Sequence, residues 1–332
     1  MRHALVLAGF VILVPLAQAP LALAQQPAES PDPPVVVQGL DRGPTFGSGL
    51  DLVNVTITVR DAAGRLVPNL GPEDFAIYED GRLQKPEVFG SPAMYGGEVP
   101  IEDENYAINL GLLLDTSESM LKELRLSKEA ATRFLENIPR AKDLLTIFFD
   151  QDIRISRYNS ENQQGLYHRI METKGSGNTA LYDAIAVYLS RVAGTPGRSI
   201  LVVLTDGEDT TSATTLSELI QLVRGSPVTI YPIAFAGSYS VGTSKAMSAR
   251  AVLNQLAELT GGSVYAPAAS RDLAAVYAAI ISELKAQYVL GYVSDNAKSD
   301  GRFRRLKVEL LSKALRVRHR QGYLVPRPPR PE

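Results

Sequence analysis

The segment LLLDTSESM, residues 112–120, ends an apolar run in Asp115, Ser117 and Ser119, at every second position. Two other stretches share the theme. Asp206 closes the apolar run of LVVLTDGED, and Thr179 follows the glycine-rich GSGN and opens a helical pattern. Two carboxylates and three hydroxyls form a set of hard oxygens. That chemistry suits Mg²⁺, with Mn²⁺ or Ca²⁺ as alternatives, and the two negative charges match a divalent ion. Taken singly, each residue is also what a helix N-cap or a tight turn uses. Together they fall beyond the carboxyl ends of the predicted strands, where open α/β sheets collect their functional groups.

The elements that must position these residues follow from hydrophobic periodicity. AINLGLLL, LLTIFFD, RSILVVLTD and PVTIYPIAFA are unbroken apolar runs. They alternate with amphipathic patterns in MLKELRLSKEAATRFLENI, TALYDAIAVYLSRV, TLSELIQLVRG, ARAVLNQLAELTGG and SRDLAAVYAAIISELKAQ. RISRY reads as a paired edge strand and SVYAP as a last strand. Buried strands alternating with helices predict an α/β fold, a doubly wound and mostly parallel sheet covered on both faces.

The flanks follow a different rule. DLVNVTITV alternates with period two, and FAIYEDGRLQKPEVF reads as a hairpin around Asp80-Gly81. Beyond Gln287, YVLGYV and FRRLKVELL are strands, the second with Leu306, Val308 and Leu310 on one face, and ALRVRHRQGYLV reads as a final hairpin. Neither flank has enough strands for a stable sheet. Carboxylates crowd residues 72–104 and Arg and Lys crowd 298–320, so one β-sandwich built from both flanks, with the α/β domain inserted, is the economical expectation. Two separate β appendages are the alternative. The basic run itself reads as a solvated strand face.

The chain has 332 residues, a formal net charge of −2 and no cysteine, so no disulfide or thiolate site exists and nothing global points to nucleic acid. Met1-Arg2-His3, the apolar run from Ala4 to Leu16 and the Ala22-x-Ala24 pattern read as a secretory signal peptide cut after Ala24. The apolar run is shorter than the ~20 residues a span needs and holds Pro15, so the mature protein is expected to be secreted or periplasmic, without a membrane span. The expected order is signal peptide 1–24, Pro-rich linker 25–49, β segment 50–105, α/β domain 106–285, β segment 286–325 and Pro-rich tail 326–332.

LLLDTSESM, GSGNTALYDAI and LVVLTDGED resemble the three parts of the metal-ion-dependent adhesion site of von Willebrand factor type A domains, and ELTGGSVY resembles a later segment of that family. The resemblance spans Tyr106 to about Lys285, with all five expected positions filled. VRDAAGRLVPNLGPEDFAIYEDG and the strands after Gln287 are similar to the flanks of exported bacterial members. The resemblance implies that Ser117, Ser119 and Thr179 approach the metal directly and that Asp115 and Asp206 act partly through water. It implies an open coordination place for an Asp or Glu carboxylate of a protein or peptide partner. Glu118 departs from the pattern, since many relatives have Gly there.

Other features weigh less. Asp150 and Asp152 in FFDQDIR read as a strand turn, and Asp183 as a helix-start carboxylate. GSGNTA lacks the G-K-[ST] of a phosphate loop. AGSYSVGTSKAMSAR reads as a polar loop at the rim of the crevice. A metal-dependent phosphoesterase also sets Asp and Ser beside a metal, yet such sites lean on several His or many carboxylates. Here His3 leaves with the signal peptide, and His168 and His319 lie outside the core motifs. The chain therefore reads as a binding module and not an enzyme, with that hydrolase, or an envelope scaffold stabilised by its metal, as the alternatives.

Overall fold

The computed structural model describes residues 35–36, 52–95, 107–138, 141–158, 163–235, 243–296, 298–312 and 314–325. The expected signal peptide, most of the linker and the tail at 326–332 lie outside them. In chain order the segment expected as linker supplies, against that expectation, a short strand β1 (Val35–Val36), and the first flank supplies β2 (Leu52–Arg60), β3 (Phe75–Glu79), β4 (Arg82–Gln84) and β5 (Val88–Gly90). The α/β part follows with β6 (Ile108–Asp115), α1 (Leu124–Asn137), β7 (Ala141–Phe149), β8 (Ile153–Tyr158), α2 (Gln163–Glu172) and α3 (Leu181–Arg191). It continues with β9 (Arg198–Thr205), α4 (Leu216–Gly225), β10 (Thr229–Ala234), α5 (Ser244–Thr260) and α6 (Leu273–Lys285). The second flank supplies β11 (Tyr288–Val293), β12 (Phe303–Leu310), β13 (Arg316–Arg318) and β14 (Gly322–Leu324).

Every residue of β6, β9 and β10 is buried, which is why these strands read as continuous apolar runs. The sheet runs β1-β8-β7-β6-β9-β10, with β7, β6, β9 and β10 parallel and β8 antiparallel at the edge, where β1 joins it. One face packs Leu112 and Leu114 against Phe134 of α1, Leu166 of α2 and Tyr277 of α6. The other packs Leu113, Leu201 and Val203 against Ile185 of α3, Leu219 of α4 and Leu253 of α5. The chain leaves β6 toward β7 and returns on the other side to β9. The strand order therefore reverses between β6 and β9, and a crevice opens beyond their carboxyl ends.

The flanks complete each other. β2 and β5 pair with β11 and β13 in one four-stranded sheet, and β3 and β4 pair with β12 and β14 in another. Val55, Ile57, Val59, Tyr288 and Leu290 of the first face Phe75, Ile77, Leu306 and Val308 of the second in a shared core. The Phe75 and Tyr288 rings meet across it at 5.1 Å. The hairpin at Asp80-Gly81 forms as expected, with positive φ at both residues.

Four local expectations need correction. SVYAP makes an isolated bridge, Ile233 to Tyr265, in which Tyr265 N donates to Pro232 O and Tyr265 O accepts from Ala234 N; Pro267, two residues on, has no N–H to extend the pairing. ALRVRHRQGYLV is not a hairpin, since β13 pairs with β2 in one sheet and β14 with β12 in the other. The basic run is not simply a solvated face: Arg304 is 3% exposed, within 3.9 Å of Glu79 and bonded to Asp300. Of the polar stretch AGSYSVGTSKAMSAR, residues 236–242 lie outside the described residues and the part from Ser244 is helical, with Thr243 capping α5 by accepting from Ala246 N, so α5 starts five residues early. Helix α2 was not expected, because QQGLYHRIME carries a weak apolar stripe.

A buried polar cluster seats the sandwich against the α/β part. Glu283, in the last turn of α6, is fully buried and accepts from Arg60 of β2 at 2.7 Å, from Arg318 of β13, and from Tyr231 Oη of β10 at 2.8 Å. Gln287 Nε2 donates to Tyr231 Oη at 2.8 Å, and Arg318 Nε donates to Gly261 O at 2.9 Å. Gly261 ends α5 in the left-handed region at φ 78°, and a side chain there would meet the backbone of His319 at 2.6 Å. Only Ala286 and Gln287 separate α6 from β11.

Candidate metal centre

The crevice between β6 and β9 gathers three loops. At its floor, Asp115 is 1% exposed, and its Oδ1 accepts from Ser117 N at 3.0 Å and Ser117 Oγ at 2.5 Å. Its Oδ2 accepts from Thr205 Oγ1 at 2.7 Å, and Thr205 Oγ1 in turn accepts from Gly207 N at 2.9 Å. Ser117 Oγ lies 3.2 Å from Ser119 Oγ. Ser117 occupies the N-cap position of a short 3₁₀ turn, Glu118–Met120, but its hydroxyl caps nothing there. It turns to Asp115 and Ser119 instead, so the simple capping account does not describe it. Thr179 is not a cap either: Ala180 holds that position in α3. Asp206 does close a turn, accepting from Glu208 N at 3.1 Å, and Gly207 beside it has φ 84°, which favours glycine.

Backbone hydrogen bonds tie the loops together. Glu118 N donates to Gly177 O at 3.1 Å and Ser176 N to Thr116 O at 2.8 Å, joining the first loop to the GSGNT loop. Thr210 N and Thr211 N donate to Thr179 O at 2.9 and 3.1 Å, and Thr179 N donates to Thr210 Oγ1 at 2.9 Å, joining that loop to the one after Asp206. Asp183 does more than favour a helix start: its two oxygens accept from Ala213 N and Thr214 N, both at 2.8 Å, and pin the far end of the Asp206 loop. Lys128 of α1 donates to Met171 O and Thr173 O and fixes the approach to the GSGNT loop. Glu118 points outward and is exposed. At the rim, Lys245 of α5 pairs with Glu208 at 2.5 Å.

Burial pushes the Asp115 carboxyl up to about 7, and the neighbouring Asp206 charge pushes in the same direction, while the hydrogen bonds from Ser117 and Thr205 oppose the rise. A carboxylate placed against a second carboxylate and neutral donors is a site that a cation would relieve. The donors are all oxygen, which suits Mg²⁺, Mn²⁺ or Ca²⁺ and disfavours thiophilic metals. Among the described residues no three His, Asp or Glu side chains gather as ligands, so a metal here depends on the hydroxyls. His168 is exposed on α2, and His319 Nε2 accepts from Val308 N at 3.0 Å inside the sandwich. Thr205 was missed in the sequence because it sits one residue before Asp206, inside an apolar strand, and its partner Asp115 is 90 positions away.

Among the described residues no helix is long and apolar enough to cross a membrane. No curated protein matches the chain. Among solved structures it is similar to a von Willebrand factor type A protein from Catenulispora acidiphila, with 10% identity over 88% of this chain and 75% of that one, TM-score 0.46. It is also similar to an aerotolerance-related membrane protein from Bacteroides fragilis, with 16% identity over 54% of this chain and 98% of that one, TM-score 0.41. A third is the vWF domain of the type V pili tip protein Mfa5 from Porphyromonas gingivalis, with 12% identity over 53% and 94%, TM-score 0.41. A family model for the von Willebrand factor type A domain matches residues 109–279, just over half of the chain. With that match covering β6 through most of α6, the chain belongs to the von Willebrand factor type A family, whose domains commonly mediate protein–protein interaction.

Proposed function

We propose that this protein is an exported binding module that holds a divalent ion of the Mg²⁺ type and uses it to capture an acidic side chain of a protein partner. The observation that carries this reading is the hydroxyl array at Asp115: Ser117 Oγ at 2.5 Å from its carboxylate and 3.2 Å from Ser119 Oγ, neither engaged as a helix cap. Ser117, Ser119 and Thr179 would hold the ion through hydroxyls, and Asp115 and Asp206 would balance its charge. When bound, the ion supplies a Lewis-acid position that a partner carboxylate can occupy. The chain's own residues shape the approach, through the Lys245–Glu208 pair on one side and exposed Glu118 and Leu121 on another.

The test is metal binding followed by partner binding. Isothermal titration with Mg²⁺ and Mn²⁺ should show saturable binding in the wild type and none in Ser117→Ala or Asp206→Ala. A partner retained from cell-envelope extract in Mg²⁺ should elute with chelator and should not be retained by Ser119→Ala. Equal metal titrations in all proteins would overturn the site. Retention that ignores chelator would overturn the mode of capture. Export rests on the basic start, apolar run and Ala22-x-Ala24, and a mature N-terminus at Gln25 is expected.

A further inference from the structure

Between Asp115 and Ser117, Thr116 faces away from the crevice, as alternation along an extended segment requires. It is fully buried, and each of its polar groups is bonded. Its N donates to Phe149 O at 2.8 Å, and its O accepts from Ser176 N of the GSGNT loop at 2.8 Å. Its Oγ1 accepts from Arg154 Nη2 at 2.9 Å and sits 3.1 Å from both Phe149 O and Asp150 Oδ2, to which its one proton can be given. Asp150 is 3% exposed, and its carboxylate takes Arg154 Nη2 at 2.6 Å, Arg154 Nη1 at 3.2 Å and Asp152 N at 2.9 Å. The backbone carbonyl of Asp150 accepts from Ala180 N, next to Thr179, at 2.8 Å.

One residue thus reaches both halves of the hydroxyl set. The Asp150 side chain engages Thr116, next to Ser117, and its carbonyl engages Ala180, next to Thr179. The turn predicted for FFDQDIR is there, but it explains only the Asp152 N contact. It does not require a part-buried arginine fork, nor a threonine from the loop that follows β6. We infer that Thr116, Asp150 and Arg154 are positioning residues for the metal centre, a brace that sets the spacing of Ser117 and Thr179 from behind. This rests on the metal reading above. A hydroxyl ligand set is sensitive to such support, because hydroxyls bring no charge of their own to draw an ion in, and small ions demand near-octahedral placement.

The probe is Mn²⁺ alone, followed by electron paramagnetic resonance of free and bound ion, with full-length Thr116→Val and Thr116→Ser beside the wild type. Valine keeps the shape and removes the hydroxyl, whereas serine keeps the hydroxyl. Thr116→Val should raise the Mn²⁺ Kd about 10- to 100-fold, the range for partners behind metal ligands, while its circular dichroism and its melting in chelator stay close to wild type. Thr116→Ser should recover most of the affinity. If Thr116→Val does not fold, Arg154→Lys, which keeps the cation and gives up the fork, should show the same loss. A wild-type Kd in the valine variant, or equal losses in valine and serine, would overturn the brace while leaving the metal site standing. No Mn²⁺ binding by the wild type would remove the metal reading and the brace with it.

Discussion

Asp115 and Glu283 are both buried carboxylates, placed at opposite ends of the α/β part. Glu283 lies near the amino end of β9, whose first residue, Arg198, donates to Leu284 O. There the chain answers the charge itself, with Arg60, Arg318 and the Tyr231 hydroxyl. Asp115, at the carboxyl end of β6, is met by two hydroxyls and an amide, and the charge acting on it, that of Asp206, has its own sign. Burying a charge is unfavourable unless a partner of opposite sign and good geometry offsets it. The end compensated from within is a joint between sheets. The end left with neutral donors is the one where, on the metal reading proposed above, an ion from outside would supply the compensation.

That contrast can be broken by mutation. The largest effect is expected at the joint: Glu283→Gln leaves two arginines facing a neutral group and should cost about 3 kcal/mol, read by urea denaturation in chelator. Asp115→Asn in the same buffer should cost less than about 1 kcal/mol or should stabilise, because it removes a charge that nothing in the chain neutralises. Similar large losses in both would erase the distinction. Next in size, Mg²⁺ at ~100 times its Kd should raise wild-type stability by about 2.7 kcal/mol, and Ser117→Ala and Asp206→Ala should gain little. At the joint again, Tyr231→Phe removes one donor to Glu283 and one acceptor for Gln287 and should cost about 1.5 kcal/mol, with Mg²⁺ stabilisation unchanged.

The smallest effect concerns His319. Burial holds its imidazole below the usual 6.5, and Nδ1 at 2.6 Å from Arg320 O and Nε2 accepting from Val308 N describe the neutral ring. As pH falls below about 6.5 the unfolded chain takes the proton before the folded one, so stability falls. The slope is at most about 1.4 kcal/mol per pH unit from this group. Melting of wild type and His319→Gln between pH 7.5 and 5.5 checks it, the variant losing less. An equal loss in both would place the pH response elsewhere.

The crevice was legible because its parts are local. A strand end, a polar alternation and a glycine-rich helix entry each fit within ten residues, and the strand order puts them together. The joint was not legible. Glu283 sits in AAIISELK, where a glutamate near a helix end ordinarily faces water, and its partner Arg60 lies 223 positions away. The arginines of FRRLKVEL and RVRHR looked like a solvated face for the same reason: the alternation of Leu306 and Val308 is visible, but the buried place of Arg304 depends on Glu79 and Asp300. Asp150 showed its turn in the sequence and hid its brace, because Thr116 lies 34 positions away in the loop after β6.

The register of the sandwich also dictates when the protein can finish itself. β2 lies between β13 and β11, both of which follow the α/β part in the chain. Tyr292 and Glu79, bonded within the sandwich, are 213 positions apart. A chain emerging from its amino end can close the six-stranded sheet while β2 still lacks both of its partner strands. Pairing across such a separation is slow, and an unpaired edge invites contact with other chains. The last strands therefore close the sandwich: a chain that lacked β13 and β14 would keep the crevice between β6 and β9 but leave one edge of β2 and one edge of β12 open.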